Sequence, residues 1–587
     1  MKDFKFDFKE PYPVYRGFFV PIWDKEQVKV RKVTAEDVEL FYKALEKLKE
    51  HLRNVHKNEL KTVADAIALF FKAPLIQELS PTVPSPLKAH ALALLLPPED
   101  LKEFKDNVED IYKFAKVLAK LKSDNLQRVQ ILFEPETAEI VEKLWLYFPA
   151  DTRPGYNTSS LIAHSLLTSS IAWALEVEKS SNEREIEIVR ISSLLHDLGK
   201  IIDPEKHYMA SKKIAEYLLE GILDKKDIDK ICRLIEEHHL ASARESIKKA
   251  DKLSSAADRI ARIVDDAIGD KIAEIERITG KSRNDWRCWK EAYKVEGDFF
   301  GDLTREFLEK AQKTLIWGDT IEDVRVILVD VGGIQNFVYR SQEIRSVTMA
   351  SHIVDLVVHA HFLYYLNLRG LNVPPEAVVY SGGGNVLLIL PKRFVEEVRR
   401  IVKEYTKIIK LKLHVSETEF STNYALLRKR LEEGIFKSKY GVELDDAVRW
   451  KELEDNRICE LCYESPTEDK VETAEGVKEV CKTCKCLYEA GSDVHFAPRW
   501  EAKIKILEKD FSPKDVFKSD WKDISRYIME IIAGHDPEEL ESLGRDVRLR
   551  DVAVIKFDGN MMGAFISEAI SFTDAIERSF RVDIAIK

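Results

Sequence analysis

The pattern of hydrophobic and polar positions divides the chain into a helical first half and a mixed second half. In the first 150 residues apolar positions recur every three or four residues between charged ones, which is typical of helices that bury one face. A stretch rich in Pro, Gly, Thr and Ser at 148–160 interrupts this pattern, and Ser159 or Ser160 is placed to cap the next helix. We predict a helical N-terminal region over 1–150, with no evident chemistry, and an all-helical domain over 151–316.

The pattern changes near residue 320, where short β-rich runs begin to alternate with helical ones. VRVILVDV (324–331) reads as a strand, and AVVYSGGGNVLLILP (377–391) reads as a hairpin around three glycines. A helical stretch and the strand-like KLHVSETEF (412–420) follow. This βαββαβ order predicts a ferredoxin-like domain over 322–420, the arrangement of polymerase and cyclase palm domains.

Size and charge narrow the class of protein. With 587 residues the chain is long enough for about three or four domains, so we expect a multidomain α+β protein. A net charge of −11 argues against a protein that binds duplex DNA over its whole surface. The charged N-terminus lacks a secretory pattern, and we predict no membrane segment because no apolar run reaches ~20 residues.

Histidine and aspartate residues follow one another in a suggestive order through 151–316. We predict that one site collects a set of seven polar residues. They are His164, His196, Asp197, His207, His238, His239 and Asp251. His196-Asp197 and His238-His239 each end a predicted helix, with Gly199 as the expected terminator of the first, and Asp251 falls where the next helix is expected to open. Imidazole and carboxylate ligands together suit divalent transition metals that activate water and hold a phosphate, whereas isolated helix-terminal histidines are the alternative.

The order of these residues resembles the HD phosphohydrolase superfamily. The superfamily pattern falls on His164, His196, Asp197 and Asp251. The resemblance implies one or two divalent ions, such as Mn²⁺, Ni²⁺ or Mg²⁺. A second ion would draw on His207 and on His238 or His239, a choice that the sequence leaves open, and Lys200 would meet the substrate phosphate.

Four of the seven cysteines form two CxxC pairs, Cys459/Cys462 and Cys481/Cys484, separated by 18 residues. Two such pairs complete a closed tetrahedral Zn²⁺ site with no open position for substrate, so we predict a structural zinc insertion over 421–500. Redox use of the cysteines is the alternative. Thiols used in this way point to a reducing compartment, and we expect a cytoplasmic protein.

The predicted palm lacks some of the carboxylates that a catalytic palm uses to hold metal ions. A catalytic palm needs carboxylates on its first strand and at its hairpin to hold two Mg²⁺ ions. Asp330 ends the first strand, but the hairpin carries no acid. We therefore predict a palm without nucleotidyl transfer and with at most passive nucleotide binding. Asp330, Gly382, Gly383 and Gly384 are the candidates, although the glycines equally suit a plain hairpin turn.

The last segment repeats this order of a strand, an acidic residue and a glycine-containing turn. IKFDGNMMG within 551–572 places Asp558 as Asp330 is placed, so we predict a helical linker over 501–550 and the beginning of a second palm over 551–587. Asp558 is accordingly a further candidate for nucleotide binding.

Over about residues 150–587 the order of motifs resembles the large subunit of the type III CRISPR effector complex. The resemblance rests on the HD set, DVGGIQNF, YSGGGN, the four cysteines and IKFDGNMMG. It implies an HD nuclease that cuts single-stranded DNA in antiviral defence. The implied partners are a guide crRNA, small CRISPR backbone subunits, target RNA and, for the palms, ATP. The sequence contains no GGDD, so we expect no self-contained cyclic oligoadenylate synthase.

Two other functions fit part of the sequence. An HD phosphohydrolase acting on small nucleotides needs neither palm nor zinc insertion. A non-enzymatic scaffold of the ribonucleoprotein needs no intact set of metal ligands.

Overall fold

The computed structural model describes most of the chain between residues 34 and 493 and shorter segments on either side. The described residues are 13–14, 31–32, 34–55, 59–76, 86–96, 101–119, 127–151, 160–180, 182–203, 206–255, 257–283, 285, 287–288, 319–341, 343–440, 458–463, 465–473, 476–493, 504–506, 509–511, 566, 569 and 571–586. Most of the predicted linker over 501–550 and the candidate Asp558 lie outside them.

The described part before residue 300 is helical apart from a two-residue strand pair, β1 (Pro13–Val14) with β2 (Arg31–Lys32). Its helices are α1 (Ala35–Asn54), α2 (Leu60–Phe71), α3 (Pro86–Leu95), α4 (Lys102–Asp106), α5 (Ile111–Ala119), α6 (Pro135–Tyr147), α7 (Leu161–Lys179), α8 (Glu183–Leu195), α9 (His207–Leu219), α10 (Lys225–Glu237), α11 (Glu245–Ser254) and α12 (Ala257–Thr279). The helical prediction for this half is confirmed.

The predicted cap before α7 is present. The Ser160 side chain accepts a hydrogen bond from the backbone N–H of Ala163 at 3.1 Å, which satisfies a donor that the helix itself leaves open. The α7 helix is buried around its whole circumference, because α8 and α11 pack on one side and β3 and β5 (defined below) on another. A helix buried in this way places its polar residues inside the protein.

The second half contains a four-stranded antiparallel sheet with spatial order β4-β5-β3-β6. Its strands are β3 (Thr320–Gly332), β4 (Val378–Gly382), β5 (Asn385–Pro391) and β6 (Lys412–Ser421). The intervening helices are α13 (Ile334–Val338), α14 (Ile344–Leu356), α15 (Phe362–Leu368) and α16 (Val395–Ile409). The predicted strands and hairpin are present. The next helix, α17 (Tyr424–Tyr440), packs on β6 and β3.

The remaining elements form a small module and a C-terminal helix. They are β7 (Asp469–Thr473), β8 (Gly476–Val480), α18 (Lys482–Asp493), β9 (Ile504–Ile506), β10 (Lys509–Phe511) and α19 (Phe572–Ile586). In α19, the Phe580 ring stacks on Trp145 of α6 with 4.2 Å between centroids, and Phe572 lies 5.2 Å from Phe420 of β6. This helix therefore joins the N-terminal region to the sheet.

The three large parts of the chain share one hydrophobic core and one buried ion network. Arg190 of α8 binds Glu376, just before β4, through Nε–Oε1 and Nη2–Oε2 at 2.8 and 2.9 Å. Its Nη2 also contacts Asp65 Oδ1 of α2 at 2.7 Å, and Nη1 contacts Glu187 Oε2 at 2.5 Å. The side chains of Arg190, Asp65 and Glu376 are at most 1% exposed. One guanidinium thus holds the N-terminal helices, the helical domain and the sheet together.

One continuous helical stretch among the described residues, Arg345–Leu368, has the length and mean hydropathy of a membrane-spanning helix. Of its most apolar window, 72% is buried inside the protein, and the core helix of a soluble protein passes the same test.

The β4–β5 turn depends on glycine at one position. Gly384 has φ +84°, and an added Cβ would lie 2.2 Å from Ile334 Cδ1, whereas a Cβ at Gly383, with φ +57°, would meet nothing within 4 Å. We predict that Gly384→Ala lowers the free energy of opening of this hairpin by about 1–3 kcal/mol and that Gly383→Ala costs less. Hydrogen exchange of the β5 amides measures both, and equal effects would contradict a steric role for Ile334.

The buried Arg190 network generates a second prediction. We expect Arg190→Met to destabilise the chain by about 3–5 kcal/mol. The buried Glu376 carboxylate would lose its ion pair and keep the hydrogen bond from Ser169, and Asp65 would keep its ion pair with Lys61. The matched variant Arg190→Met/Asp65→Asn/Glu376→Gln removes those charges and should recover part of the loss. Urea denaturation measures both variants, and equal stability of Arg190→Met and wild type would refute the role of the network.

Candidate metal centres

The seven residues predicted for one site and Lys200 converge from five segments of the helical domain. His164 lies in the first turn of α7, His196 follows α8, and Asp197 begins the short 3₁₀ turn Leu198–Ile201 that carries Lys200. His207 begins α9, His238 and His239 follow α10, and Asp251 lies on α11. The sequence prediction placed Asp251 where a helix opens, but α11 already begins at Glu245, so the aspartate lies inside the helix.

One cluster combines two imidazoles with two carboxylates. His164 Nε2 lies 3.2 Å from Asp197 Oδ2 and 3.2 Å from Asp251 Oδ1. His196 Nε2 lies 3.4 Å from the same Asp197 oxygen and 3.6 Å from the same Asp251 oxygen. Four potential ligand atoms therefore face one point, and all lie within 4.8 Å of one another.

A second cluster consists of His207, His238 and His239. The Nε2 atoms of His207 and His239 are 2.9 Å apart. The other oxygen of Asp197, Oδ1, lies 3.4 Å from His207 Nε2 and 3.9 Å from His238 Nε2. The Asp197 carboxylate therefore faces both clusters, one oxygen to each, and it would supply a ligand atom to each cluster if both held an ion.

The backbone fixes how two of the imidazoles are presented. His196 Nδ1 donates to the carbonyl of Ser193 at 2.8 Å, and His238 Nδ1 donates to that of Ile235 at 2.6 Å, since a carbonyl only accepts. Each ring then turns a bare Nε2 towards its cluster, and a neutral imidazole with its other nitrogen held in this way is a preorganised metal ligand.

Buried polar atoms without partners show that the set fits a cation. Within the described part of the chain, His196 Nε2, His238 Nε2 and Asp197 Oδ1 are buried and have no hydrogen-bond partner. Leaving such atoms unsatisfied costs free energy, and a divalent ion between them would supply the missing interaction. Imidazole with carboxylate is a donor set for divalent transition metals, so the residues fit one or two such ions.

The charge state of the ligands also suits metal binding. Although burial opposes ionisation, His196 and Lys200 hold the pKa of Asp197 well below its usual range. Burial lowers the pKa of His238 to about 3, which keeps it neutral. Burial also acts against the proton on His164, but the Asp197 and Asp251 carboxylates, each 3.2 Å from its Nε2, raise its pKa to about 9.

Lys200 lies at the edge of the site. Its Nζ contacts Asp197 Oδ2 at 2.6 Å and donates to the carbonyl of Ala150 at 3.2 Å, and its side chain is 28% exposed. The predicted contact of Lys200 with a substrate phosphate stays a prediction.

Two residues support the site although the sequence analysis did not assign them to it. Gly199 was expected to end α8, but an added Cβ would lie 2.2 Å from the carbonyl oxygen of His207, so its role is to let α9 approach. The Gly199 N–H donates to Ser211 Oγ at 2.8 Å, which ties the 3₁₀ turn to α9. The glycine after His-Asp was a signal for Gly199, whereas nothing in the sequence pointed to Ser211.

The four predicted cysteines form one buried cluster. Cys459 and Cys462 lie in the loop before β7, Cys481 follows β8, and Cys484 lies in the first turn of α18. The four sulfur atoms lie within 4.8 Å of one another, and all four thiols are free. Four converging thiols fit a closed tetrahedral zinc site rather than a disulfide pair.

The candidate residues of the sheet have structural partners. Asp330 Oδ2 forms a 2.7 Å ion pair with Lys439 Nζ of α17. Gly382, Gly383 and Gly384 all have positive φ and form the β4–β5 turn, as plain hairpin chemistry requires. Their predicted role in nucleotide binding stays a prediction.

Comparison with known proteins identifies the class of the helical domain. Residues 161–263 match the family model described as HD domain. Domains of this class are metal-dependent hydrolases of the phosphohydrolase kind, in agreement with the two His/Asp clusters. No curated protein matches the chain in sequence.

Solved structures with similarity to the chain include Csm1, the type III CRISPR large subunit. The crystal structure of Csm1 in T. onnurineus is 15% identical, with a TM-score of 0.25 over 47% of this chain and 49% of that chain. The apo Csm1-Csm4 cassette is 15% identical, with a TM-score of 0.22 over 48% and 49%. The cassette in complex with cA4 is 13% identical, with a TM-score of 0.21 over 48% of both chains. The chain thus spans about half the length of these relatives.

The cysteine cluster generates a prediction on metal content. We expect Cys481→Ser to lose one tightly bound zinc per chain and the protection of β7 and β8, because the structural ion supplies much of the folding energy of a module this small. Elemental analysis and hydrogen exchange measure the two effects. Cys486→Ser, which alters a nearby thiol outside the cluster, is the matched control, and loss of zinc from both variants would contradict the assignment of ligands.

Proposed function

We propose that this chain is the large subunit of a type III CRISPR effector complex and that its HD domain hydrolyses phosphodiester bonds of single-stranded DNA. The observation that carries the hydrolase is the Asp197 carboxylate, which presents one oxygen to each of two clusters of buried ligand atoms. Divalent ions held in such a site activate water and stabilise the charge on the attacked phosphate.

The protein's own residues define how such a site is assembled. His164, His196 and Asp251 complete one set of ligands around Asp197, and His207, His238 and His239 complete the other. His196 and His238 are held in the tautomer that leaves Nε2 bare, so little reorganisation is needed when a cation arrives. Lys200, partly exposed at the edge, is the cation placed to receive a substrate phosphate.

Each cluster has a member that reaches solvent. His164 and His196 are almost fully buried, whereas the Asp251 side chain is 23% exposed and His239 is exposed. A phosphodiester would reach the site over this open edge, which also carries Lys200. Access from an open side suits a polymer, because the chain can enter and leave without being enclosed.

The CRISPR part of the proposal rests on the order of the motifs along the chain. An HD domain, a βαββαβ sheet and a four-cysteine cluster follow one another along the chain. This is the order of the sequence motifs on which the resemblance rests. We infer that the sheet is a palm domain without catalytic acids at its hairpin and that 551–587 begins a second palm. The partners would be a guide crRNA, target RNA and the small backbone subunits, in the cytoplasm. ATP would be a ligand of the palms.

The hairpin supports a non-catalytic first palm, because Gly384 and Asn385 stand where a two-metal site would need carboxylates. Asp330 is then a lone acid of such a set, and its Oδ2 pairs with Lys439 Nζ at 2.7 Å. We therefore propose that nucleotide binding at this sheet, if ATP is a ligand, does not use Asp330 as a magnesium ligand.

The nuclease is tested by incubating labelled single-stranded DNA with the chain and Mn²⁺, Ni²⁺ or Mg²⁺. We expect metal-dependent cleavage that falls by at least about a hundredfold in His196→Ala/Asp197→Ala, because several kcal/mol of metal-assisted stabilisation is lost. The matched control is Asp229→Ala, which removes a carboxylate with 64% exposure on α10, outside the clusters, and should leave the rate unchanged.

Three other outcomes separate the competing functions. Hydrolysis of nucleotides without cleavage of DNA would make the chain a nucleotide phosphohydrolase. If neither the chain alone nor the chain reconstituted with guide RNA and backbone subunits cuts DNA, the nuclease is refuted, and co-purification with a short RNA would then support the scaffold. Equal loss in the Asp229→Ala control would show that the clusters are not the site.

A further inference from the structure

The cysteine module, which comprises the described residues of 458–493, has a small core of its own. This core consists of the four cysteines and four apolar or aromatic side chains, Leu461, Val471, Val480 and Tyr488. A core of this size does not hold a fold by itself, so the module depends on its metal and on the surface against which it packs.

One short segment of the sheet unit provides part of that surface, and α18 also packs on α14 and α5. The segment runs from Arg340, after α13, to Arg345 in the first turn of α14. Gly491 of α18 approaches so closely that an added Cβ would lie 2.6 Å from the carbonyl oxygen of Arg345. Arg345 Nη1 also donates to Ser492 Oγ at 3.0 Å, and Lys478 Nζ of β8 lies 3.4 Å from Glu343 Oε1. The segment is therefore in contact with the module at β8 and at the C-terminal end of α18.

Arg340 is the residue of this segment that reaches the cysteines. Its Nη2 donates to Ser465 Oγ at 2.9 Å, and the carbonyl of Ser465 accepts from the N–H of Cys459 at 2.8 Å. The guanidinium also lies near the thiols of Cys462, Cys481 and Cys484. Burial opposes its charge, but the neighbouring thiolates of Cys462 and Cys481 raise its pKa above the ordinary value.

The charge of a four-thiolate centre explains why a guanidinium belongs there. Four thiolates around one divalent cation leave a net negative charge in a buried place. A guanidinium offsets that charge and donates N–H groups in a fixed planar fork, which a lysine does not reproduce. Groups in contact with metal ligands typically change metal affinity by about 10–100-fold.

We propose that Arg340 is a positioning residue of the four-cysteine centre, which stabilises the thiolates and couples their metal to the segment that follows β3. The chain reaches Arg340 ten residues after Asp330, through Gly333 and α13. Loss of the metal would therefore release the segment that links the sheet to α14. The inference is independent of the nuclease, since it concerns a different centre.

The test is the zinc affinity of the full chain, measured by competition with a chelator of known affinity. We expect Arg340→Gln to bind zinc about 10–100-fold more weakly than the wild type. Arg345→Gln is the matched control, because it removes a docking contact from the same segment without touching a thiolate, and it should retain wild-type affinity. Hydrogen exchange of α13 after removal of zinc checks the coupling, and we expect faster exchange there.

Two results would overturn the inference. One is wild-type zinc affinity in Arg340→Gln, and the other is an equal loss in Arg345→Gln, which would assign the effect to docking alone. If Arg340→Gln does not fold, Arg340→Lys decides the question, since it keeps the charge but loses the fork. We expect a loss of intermediate size in that variant, and unchanged affinity would refute the role of the guanidinium.

Discussion

The buried guanidinium of Arg190 constrains the whole arrangement, because its partners come from its own helix and from two distant parts of the chain. Asp65, Glu187 and Glu376 lie within 2.9 Å of it, at the meeting point of the N-terminal helices, the HD domain and the sheet. A buried charge must be paired. The N-terminal helices, the HD domain and the sheet therefore pack stably only in an arrangement that brings these carboxylates to Arg190. The network thereby sets the position of α8, the helix that ends immediately before His196.

The candidate active site follows from that position. With α8 fixed, His196 and Asp197 enter the interior next to α7, and α9, α10 and α11 bring the other ligands around Asp197. The Glu376 end of the same network precedes β4 and the glycine turn. The HD site and the sheet are thus supported by one buried network, whereas the cysteine centre is attached separately, through Arg340, Arg345 and the packing of α18 on α14 and α5.

The sequence predicted much of the fold because its signals were local. β-rich runs located the strands, Ser159 and Ser160 marked the start of α7, and the order of histidines and aspartates located the residues that converge in the two clusters. It did not predict the Arg190 network or the Asp330–Lys439 pair, since each joins residues more than a hundred positions apart on elements without a shared pattern. It also misjudged Gly199, because a glycine that permits close packing looks the same in sequence as one that ends a helix.

The central proposal is that Asp197 would hold a divalent ion at each of its two carboxylate oxygens. The most direct measurement is anomalous scattering from a crystal of the chain soaked with Mn²⁺. The account predicts two peaks, one beside Asp197 Oδ2 among His164, His196 and Asp251, and one beside Oδ1 among the remaining histidines. A crystal that shows no manganese at Asp197, with the cysteine centre still loaded with zinc, would contradict it.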